Sequence, residues 1–214
     1  MKQFTLVIGN KNYSSWSLRP WLLMKQAEID FEEIRIPLHQ ANTDSEIAKY
    51  SAAGKVPILI HGEITLWESL SICEYIAERF AKVHLWPQDA KVRAIARSVA
   101  SEMHAGFQAL RQNMPMDVRA SYPGKGMAAD VQDDIDRITD IWKDCLKKFG
   151  YGGKFLFGRF TVADAMFAPV VLRFKTYAVK VDPISEAYMK NILSLPAMEE
   201  WCKAARQEVE TISH

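Results

Sequence analysis

The 214-residue sequence has few cysteines and almost no net charge. Cys73, Cys145 and Cys202 are odd in number and far apart, and each lies in an apolar helical pattern, which favours reduced core thiols over a disulfide framework. No stretch approaches the length of a membrane span, and no cleavable apolar segment precedes the first strand-like run. We therefore expect a soluble, cytoplasmic protein that does not associate with membranes.

The near-zero net charge and the absence of repeats argue against further classes of protein. The formal net charge is +1 and no basic stripe is present, which argues against nucleic acid as the main partner. The sequence also lacks internal repeats and low-complexity tracts. With 49% hydrophobic and 25% charged residues, it can build a substantial core in one large domain or two small ones.

The first eighty or so residues predict the element order β-α-β-α-β-β-α. The residues Phe4–Ile8 and Phe31–Ile36 are predicted strands, and Ser45–Tyr50 is a predicted short helix. The first helix follows Ser14-Ser15-Trp16-Ser17. With Ser17 as N-cap, Pro20 falls in the first turn, where its missing amide has no intrahelical acceptor to lose.

The stretch Gly54–Ile60 is the centre of this half. Its β-branched run and the returning run Ile64–Leu66 predict an antiparallel hairpin that Pro57 must begin or border. A cis Val56–Pro57 bond would turn the backbone of Val56 outward, towards an extended ligand. The alternative is an ordinary trans proline, which base rates favour.

Glu68 and Ser69 lie where the next helical pattern begins. A helix N-terminus presents unpaired amides and the positive end of a dipole, which suits a ligand carboxylate. The alternative is that Ser71 and Glu74 form a capping box, which would make Ser69 a turn residue.

The remainder of the chain predicts an all-α domain. After a linker at residues 83–89, helical patterns run from Ala90 to Arg111 and from Ala129 to Phe149. Thr161-Val162-Ala163-Asp164 opens a helix that is apolar on every face and bent at Pro169. We expect a structural, capping role for Thr161 and Asp164. Two shorter helices, near Ile184–Ile192 and Pro196–Val209, finish the chain.

Four motifs in this order resemble the cytosolic glutathione transferase superfamily: Ser14-Ser15, Val56-Pro57, Glu68-Ser69 and Thr161–Asp164. The resemblance covers nearly the whole chain. It implies a thioredoxin-like glutathione-binding domain at residues 1–82, followed after the linker by an all-helical domain at residues 90–214 that contributes the electrophile pocket. The paired serines are similar to serine-type theta and zeta-like bacterial classes, although zeta enzymes have a cysteine where this chain has Trp16.

The resemblance also implies roles for particular residues. Val56 and Pro57 would hold the cysteinyl moiety of glutathione, Glu68 the γ-glutamyl ammonium and Ser69 the γ-glutamyl carboxylate. Lys55, with His39 or Gln40, would meet the glycyl carboxylate. The hydroxyl that contacts the sulfur is left open between Ser15, which we favour, Ser14 and Tyr13, because turn and capping roles also explain paired serines.

The implied activity is that of a detoxifying glutathione transferase, which conjugates the thiolate of glutathione to a small hydrophobic electrophile. Glutathione is then the co-substrate, no metal is expected, and the partner is a second copy of the chain in a homodimer. Trp16, His104 and Arg111 are candidates for the second-substrate pocket. His104 and Arg111 share one face of the predicted helix, and a solvated or packed helix face is the favoured explanation of these two residues. The alternatives are a zeta-like glutathione-dependent isomerase and a non-catalytic glutathione-binding or stress-related module.

Overall fold

The computed structural model describes residues 3–212. The ends of the two predicted domains at Met1, Lys2, Ser213 and His214 lie outside this range, and the domain bounds remain a prediction. The first seven elements are β1 (Thr5–Ile8), α1 (Ser15–Gln26), β2 (Glu32–Arg35), α2 (Thr43–Ala48), β3 (Ile58–His61), β4 (Ile64–Trp67) and α3 (Ser69–Arg79). The helices that follow are α4 (Ala90–Ala105), α5 (Gln108–Asn113), α6 (Ala129–Phe149), α7 (Val162–Tyr177), α8 (Pro183–Leu193) and α9 (Pro196–Gln207). The predicted order β-α-β-α-β-β-α followed by helices is confirmed.

The sheet has the strand order β2-β1-β3-β4. Strand β1 is parallel to β2 and antiparallel to β3, and β3 forms a hairpin with β4. Successive side chains of β1 point to opposite faces, so Leu6 and Ile8 join the main core while Val7 packs with Ile47 of α2. The sheet is thus covered by α2 on one face and by α1 and α3 on the other.

The main core is continuous from the sheet into the helical half. It contains residues of α1 and α3 together with residues of α4, α6, α7 and α9. Helix α1 contacts α7, α3 and α9. The first turn of α1 is therefore fixed from both halves of the molecule, which matters because candidate site residues lie there.

The predicted helix from Ala90 to Arg111 is wrong in one respect, since α4 ends at Ala105 and α5 begins at Gln108. Gly106 leaves the helical conformation, and Phe107 has a left-handed φ of 62°. A Cβ atom on Gly106 would lie 2.9 Å from the carbonyl oxygen of Glu102, so a side chain does not fit there. The apolar periodicity of the sequence continues across Gly106, because a single glycine is tolerated in helical patterns, so the pattern predicted one unbroken helix.

Helix α7 begins as predicted, with Thr161 at its N-cap. The Asp164 carboxylate accepts hydrogen bonds from the Thr161 amide at 2.8 Å, the Leu156 amide at 3.1 Å and the Tyr188 hydroxyl at 3.2 Å. Burial raises the pKa of Asp164 from 3.8 to about 6, although these hydrogen bonds lower it. The contacts support the expected structural role.

The predicted core thiols are confirmed, because Cys73, Cys145 and Cys202 are all buried and free. Among the helices of residues 3–212, none has the length and apolar character that crossing a membrane requires.

Candidate functional site

The loop before α1 is held by its own polar groups. The carbonyl of Asn10 accepts hydrogen bonds from the amides of Tyr13 and Ser14, and its side chain accepts one from the Leu38 amide at 2.7 Å. The N-cap of α1 is Ser14, whose Oγ accepts a hydrogen bond from the Ser17 amide. The assignment of Ser17 as N-cap is therefore wrong, and Pro20 lies inside the helix instead of in its first turn.

The two serines of the loop have different partners. The Ser14 hydroxyl donates to the Ser17 hydroxyl at 2.7 Å, which in turn accepts a hydrogen bond from the Gly9 amide. The Ser15 hydroxyl accepts a hydrogen bond from Arg173 of α7 at 3.3 Å. Ser15 therefore keeps a hydroxyl proton that no described residue accepts, whereas Ser14 uses its proton to build the loop.

The Val56–Pro57 peptide bond is cis, which decides between the two alternatives that the sequence left open. Pro57 lies just before β3, in agreement with its predicted place at the start of a strand. Within residues 3–212, neither the amide nor the carbonyl of Val56 pairs with another backbone group. Both groups are thus available to a bound peptide backbone.

The N-terminus of α3 carries an unsatisfied buried hydroxyl. The helix begins at Ser69, with Glu68 at the N-cap in a left-handed conformation (φ 69°), so the capping box that Ser71 and Glu74 would form is wrong. The Ser69 side chain is 1% exposed, and its Oγ has no hydrogen-bond partner among the described residues. A buried hydroxyl without a partner is costly, and it lies here beside free helix amides.

Two cavities lie along this surface. One, of about 570 Å³, is lined by Tyr13, Ser14, Ser15, Trp16, Leu38, His39, Gln40, Thr43, Asp44, Ile47, Gly54, Lys55 and Val56. The other, of about 420 Å³, is lined by Trp16, Ala53, Lys55, Val56, Pro57, Trp67, Glu68 and Ser69. They share Trp16, Lys55 and Val56. The structure therefore brings together every residue predicted to be catalytic or to bind glutathione.

His104 and Arg111 do not line these cavities, but both contact Trp16. The ring of His104 lies 5.3 Å from that of Trp16, and its Nε2 lies 3.6 Å from a carboxylate oxygen of Glu68. Burial lowers the pKa of His104, as does Arg19, while Glu68 raises it. The Arg111 guanidinium lies 4.7 Å from the Trp16 ring and donates hydrogen bonds to carbonyls at the end of α4. The two residues are on different helices and do not share one helical face.

Sequence reasoning missed Arg19 and Arg173. The Arg19 guanidinium lies 4.2 Å from the Trp16 ring, and only 1% of the residue is exposed. Arg173 is also buried, and burial lowers its pKa to about 10. The sequence feature that could have identified these two arginines is a charged residue within an apolar helical run, because a charge in a buried helix indicates a functional or tightly paired group.

Tyr13 is hydrogen-bonded to the C-terminal segment, residues 208–212. Its hydroxyl accepts hydrogen bonds from Arg119 at 3.0 Å and from the Ile212 amide at 3.2 Å. The Glu208 carboxylate accepts hydrogen bonds from the amides of Lys11 and Asn12 at 2.7 and 3.0 Å. The segment thus crosses the loop that carries the serines and fixes it from outside.

Two family models match the chain. Residues 13–79 match "Glutathione S-transferase, N-terminal domain", and residues 95–204 match "Glutathione S-transferase, C-terminal domain". The first range includes the residues that line the two cavities, and the second includes most of the helical half.

Individual proteins show the same similarity. "Glutathione S-transferase 1" of Dianthus caryophyllus is 28% identical over 165 residues, covering 74% of this chain and 71% of the relative. "Probable maleylacetoacetate isomerase" of Caenorhabditis elegans is 25% identical over 173 residues, covering 79% and 78%. A glutathione transferase homologue from Burkholderia gl BGR1, solved with bound glutathione, shares the fold with a TM-score of 0.73 at 22% identity, covering 97% of this chain and all of that one. A glutathione transferase from Methylococcus capsulatus gives 0.72 at 20% identity, covering 95% and 98%.

Proposed function

The chain belongs to the glutathione S-transferase family, and from that premise we propose that it conjugates the thiolate of glutathione to a small hydrophobic electrophile. The observation that carries the proposal is the buried, unpartnered hydroxyl of Ser69 at the N-terminus of α3. It borders the same cavity as the cis Val56–Pro57 peptide. A γ-glutamyl carboxylate would satisfy this hydroxyl and the free helix amides together.

The remaining contacts of the tripeptide follow from the cavity walls. The exposed carboxylate of Glu68 meets the γ-glutamyl ammonium, and the backbone of Val56 pairs with the cysteinyl moiety. Lys55, which lines both cavities, meets the glycyl carboxylate together with His39 or Gln40 of the larger cavity. Glutathione thus spans both cavities, with its sulfur near the Trp16 side of the loop.

The chemistry requires a thiolate. A thiol with a pKa of about 8.5 is mostly protonated at neutral pH, and lowering that pKa by about two units requires roughly 2.7 kcal/mol of preferential stabilisation. The Ser15 hydroxyl donates a hydrogen bond to the sulfur, and the N-terminus of α1 adds its dipole. The thiol proton leaves to solvent, and the thiolate then forms a bond to the electrophilic carbon as the leaving group departs.

Ser15 is the favoured sulfur contact among the three hydroxyls. Ser14 donates to Ser17, and Tyr13 is held by Arg119 and the C-terminal segment. The Ser15 oxygen accepts from a cationic guanidinium, which makes its own proton a better donor. This assignment supports the serine type that the sequence resembles.

An isomerase of the zeta type is the second candidate. The similarity to a probable maleylacetoacetate isomerase and the Ser14-Ser15 pair favour it. The isomerase is disfavoured because this chain has Trp16 at the position where zeta enzymes have a cysteine. A non-catalytic glutathione-binding module would use the same contacts and differs only in lacking turnover.

We further propose that the protein acts as a cytoplasmic homodimer in detoxification. The three unpaired buried thiols suit a reducing compartment. Trp67 and Ile64 of β4 are 52% and 45% exposed, and such an apolar edge suits a second copy.

Turnover with a dinitrohalobenzene in the presence of glutathione tests the proposed function. We expect saturable conjugation that falls at least about tenfold in Ser15→Ala. Tight glutathione binding without turnover on this or other electrophiles would favour the binding module. Conversion of maleylacetoacetate without conjugation would favour the isomerase.

A further inference from the structure

His104 of α4 faces the carboxylate of Glu68, which lines the smaller cavity. Its Nε2 lies 3.6 Å from a carboxylate oxygen of Glu68. Glu68 is the N-cap of α3, and within the described part of the chain its side chain makes no capping hydrogen bond to that helix. The Glu68 side chain is 55% exposed, so its carboxylate is open to a ligand in the cavity while it faces His104 from the other side.

The imidazole of His104 is fixed on its remaining sides. Its ring packs edge-on against Trp16, with 5.3 Å between the ring centroids and 71° between the planes. Its Nδ1 is buried and has no hydrogen-bond partner among residues 3–212. A neutral imidazole carries one N–H, and a carboxylate accepts a hydrogen bond but repels a nitrogen lone pair. The proton of the neutral ring therefore belongs on Nε2, directed towards Glu68.

A second proton on this ring is costly. In an imidazolium both nitrogens are donors, and the Nδ1 donor would be buried here without an acceptor from the described residues. Burial is the largest cause that lowers the pKa of His104, and the cations of Arg19 in α1 and Arg111 in α5 lower it as well. Glu68 of α3 is the facing charge that raises it. His104 is therefore neutral at neutral pH and becomes a cation only in more acidic solution.

We propose that His104 is a positioning residue for the γ-glutamyl ammonium, which it assists while neutral and displaces when protonated. The neutral ring directs its N–H to Glu68 and leaves the full negative charge of the carboxylate to the ammonium. The imidazolium shares that carboxylate with the ammonium, so the two cations compete for one negative charge. This inference rests on the proposed function and adds an acid limit to the binding of glutathione.

The coupling between proton and ligand acts in both directions. Protonation of His104 favours the free protein, so the affinity for glutathione is complete above the pKa of His104 and falls as pH drops through it. The bound ammonium in turn lowers the pKa of His104 further. Binding near that pKa therefore releases a proton.

The test measures binding of γ-glutamyl-seryl-glycine, the serine analogue of glutathione, by isothermal titration calorimetry. This ligand has no ionising thiol, and its ammonium and carboxylates keep their charges between about pH 5 and pH 7. His104→Gln keeps an N–H donor in place of Nε2 but cannot gain a proton. The pKa of His104 itself is measured by NMR.

The predicted result is a ratio that depends on pH. Between about pH 7 and about one pH unit below the measured pKa of His104, the dissociation constant of the wild type should rise about fivefold relative to that of His104→Gln. The contributions of other titrating groups, such as His39 of the larger cavity, are common to both proteins and cancel in this ratio. The same ratio measured with glutathione serves if the serine analogue binds too weakly.

Two controls separate this effect from others. His84→Asn removes an imidazole that lies outside both cavities, at a left-handed position that asparagine tolerates, and it should keep the wild-type pH dependence. A ligand with glutaryl in place of γ-glutamyl lacks the ammonium, so the pH-dependent difference between the wild type and His104→Gln should vanish. If His104→Gln does not fold, His104→Phe keeps a ring against Trp16 and should also lose the pH dependence.

A ratio that stays constant across the pKa of His104 would overturn the inference. So would an equal change with the glutaryl ligand, because the imidazolium would then act without the ammonium. Calorimetry in buffers of different ionisation enthalpy adds a second readout: the wild type should release protons on binding near this pKa, and His104→Gln should release fewer. If neither glutathione nor its serine analogue binds at any pH, the proposed function fails and the inference falls with it, whereas binding without a difference between the two proteins rejects the inference alone.

Discussion

Replacing Ser15 by alanine should raise the pKa of the bound glutathione thiol. Ser15 is buried, and its oxygen accepts a hydrogen bond from Arg173, so its proton is available to the sulfur in the proposed complex. A hydrogen bond to a charged group contributes about 1.5–3 kcal/mol, which corresponds to about one to two pKa units. The dipole of α1 remains in the variant, so part of the activation should persist.

The assay follows the ultraviolet absorbance of the bound thiolate against pH for the wild type, Ser15→Ala and Ser14→Ala. Ser14→Ala is the matched control. It removes an N-cap and should lower the free energy of unfolding by about 1 kcal/mol, with a smaller change in the thiol pKa than Ser15→Ala produces. An unmoved titration in Ser15→Ala, or a larger shift in Ser14→Ala, would refute the assignment of the catalytic hydroxyl.

Three further predictions concern stability and binding. Ser69→Ala should weaken glutathione binding about tenfold without lowering the melting temperature, because the Ser69 hydroxyl has no protein partner to lose. Calorimetry measures the affinity and thermal unfolding measures the stability, and a destabilised variant would contradict the prediction. The pKa of Asp164 in the folded protein is raised from 3.8 to about 6, so the folded protein binds this proton more tightly than the unfolded chain does. As pH rises from about 4 to about 6, the free energy of unfolding of the wild type should therefore fall relative to that of Asp164→Asn, by on the order of 3 kcal/mol. Parallel denaturation profiles would rule this out. Arg119→Gln should release the C-terminal segment from Tyr13 and raise the rate of amide hydrogen exchange in the loop before α1 by about tenfold. An unchanged exchange rate would show that the segment does not hold the loop.

Much of the fold could be predicted because its local signals agree. The apolar run of strand β1, the hairpin after Pro57 and the capped helix α7 each have a pattern that one structure satisfies. The bounds Ala129–Phe149 of α6 match the prediction because its apolar stripe is regular.

The errors arose where a residue has two possible local roles. Any of three serines can cap α1, and in the structure Ser14 is the cap, so Pro20 lies inside the helix. Gly106 is tolerated in a helical pattern, and the steric contact with Glu102 that forbids a side chain there is a property of the folded backbone.

The hydrogen bond from Arg173 to Ser15 could not be predicted from the sequence for a similar reason. Ser15 and Arg173 are 158 residues apart, and periodicity cannot indicate that the guanidinium of one donates to the hydroxyl of the other. The pairing depends on how α1 packs on α7, which is a tertiary property. Sequence motifs therefore led to the proposed glutathione contacts, whereas the contact of α7 with the serine loop is seen only in the structure.

A crystal structure with glutathione bound tests the central claim most directly. The account predicts the γ-glutamyl carboxylate on the Ser69 hydroxyl and the amides of α3, the cysteinyl backbone paired with Val56, and the sulfur within about 3.5 Å of the Ser15 Oγ. A tripeptide bound outside the two cavities, or a sulfur in contact with Tyr13 or Ser14 and distant from Ser15, would contradict it.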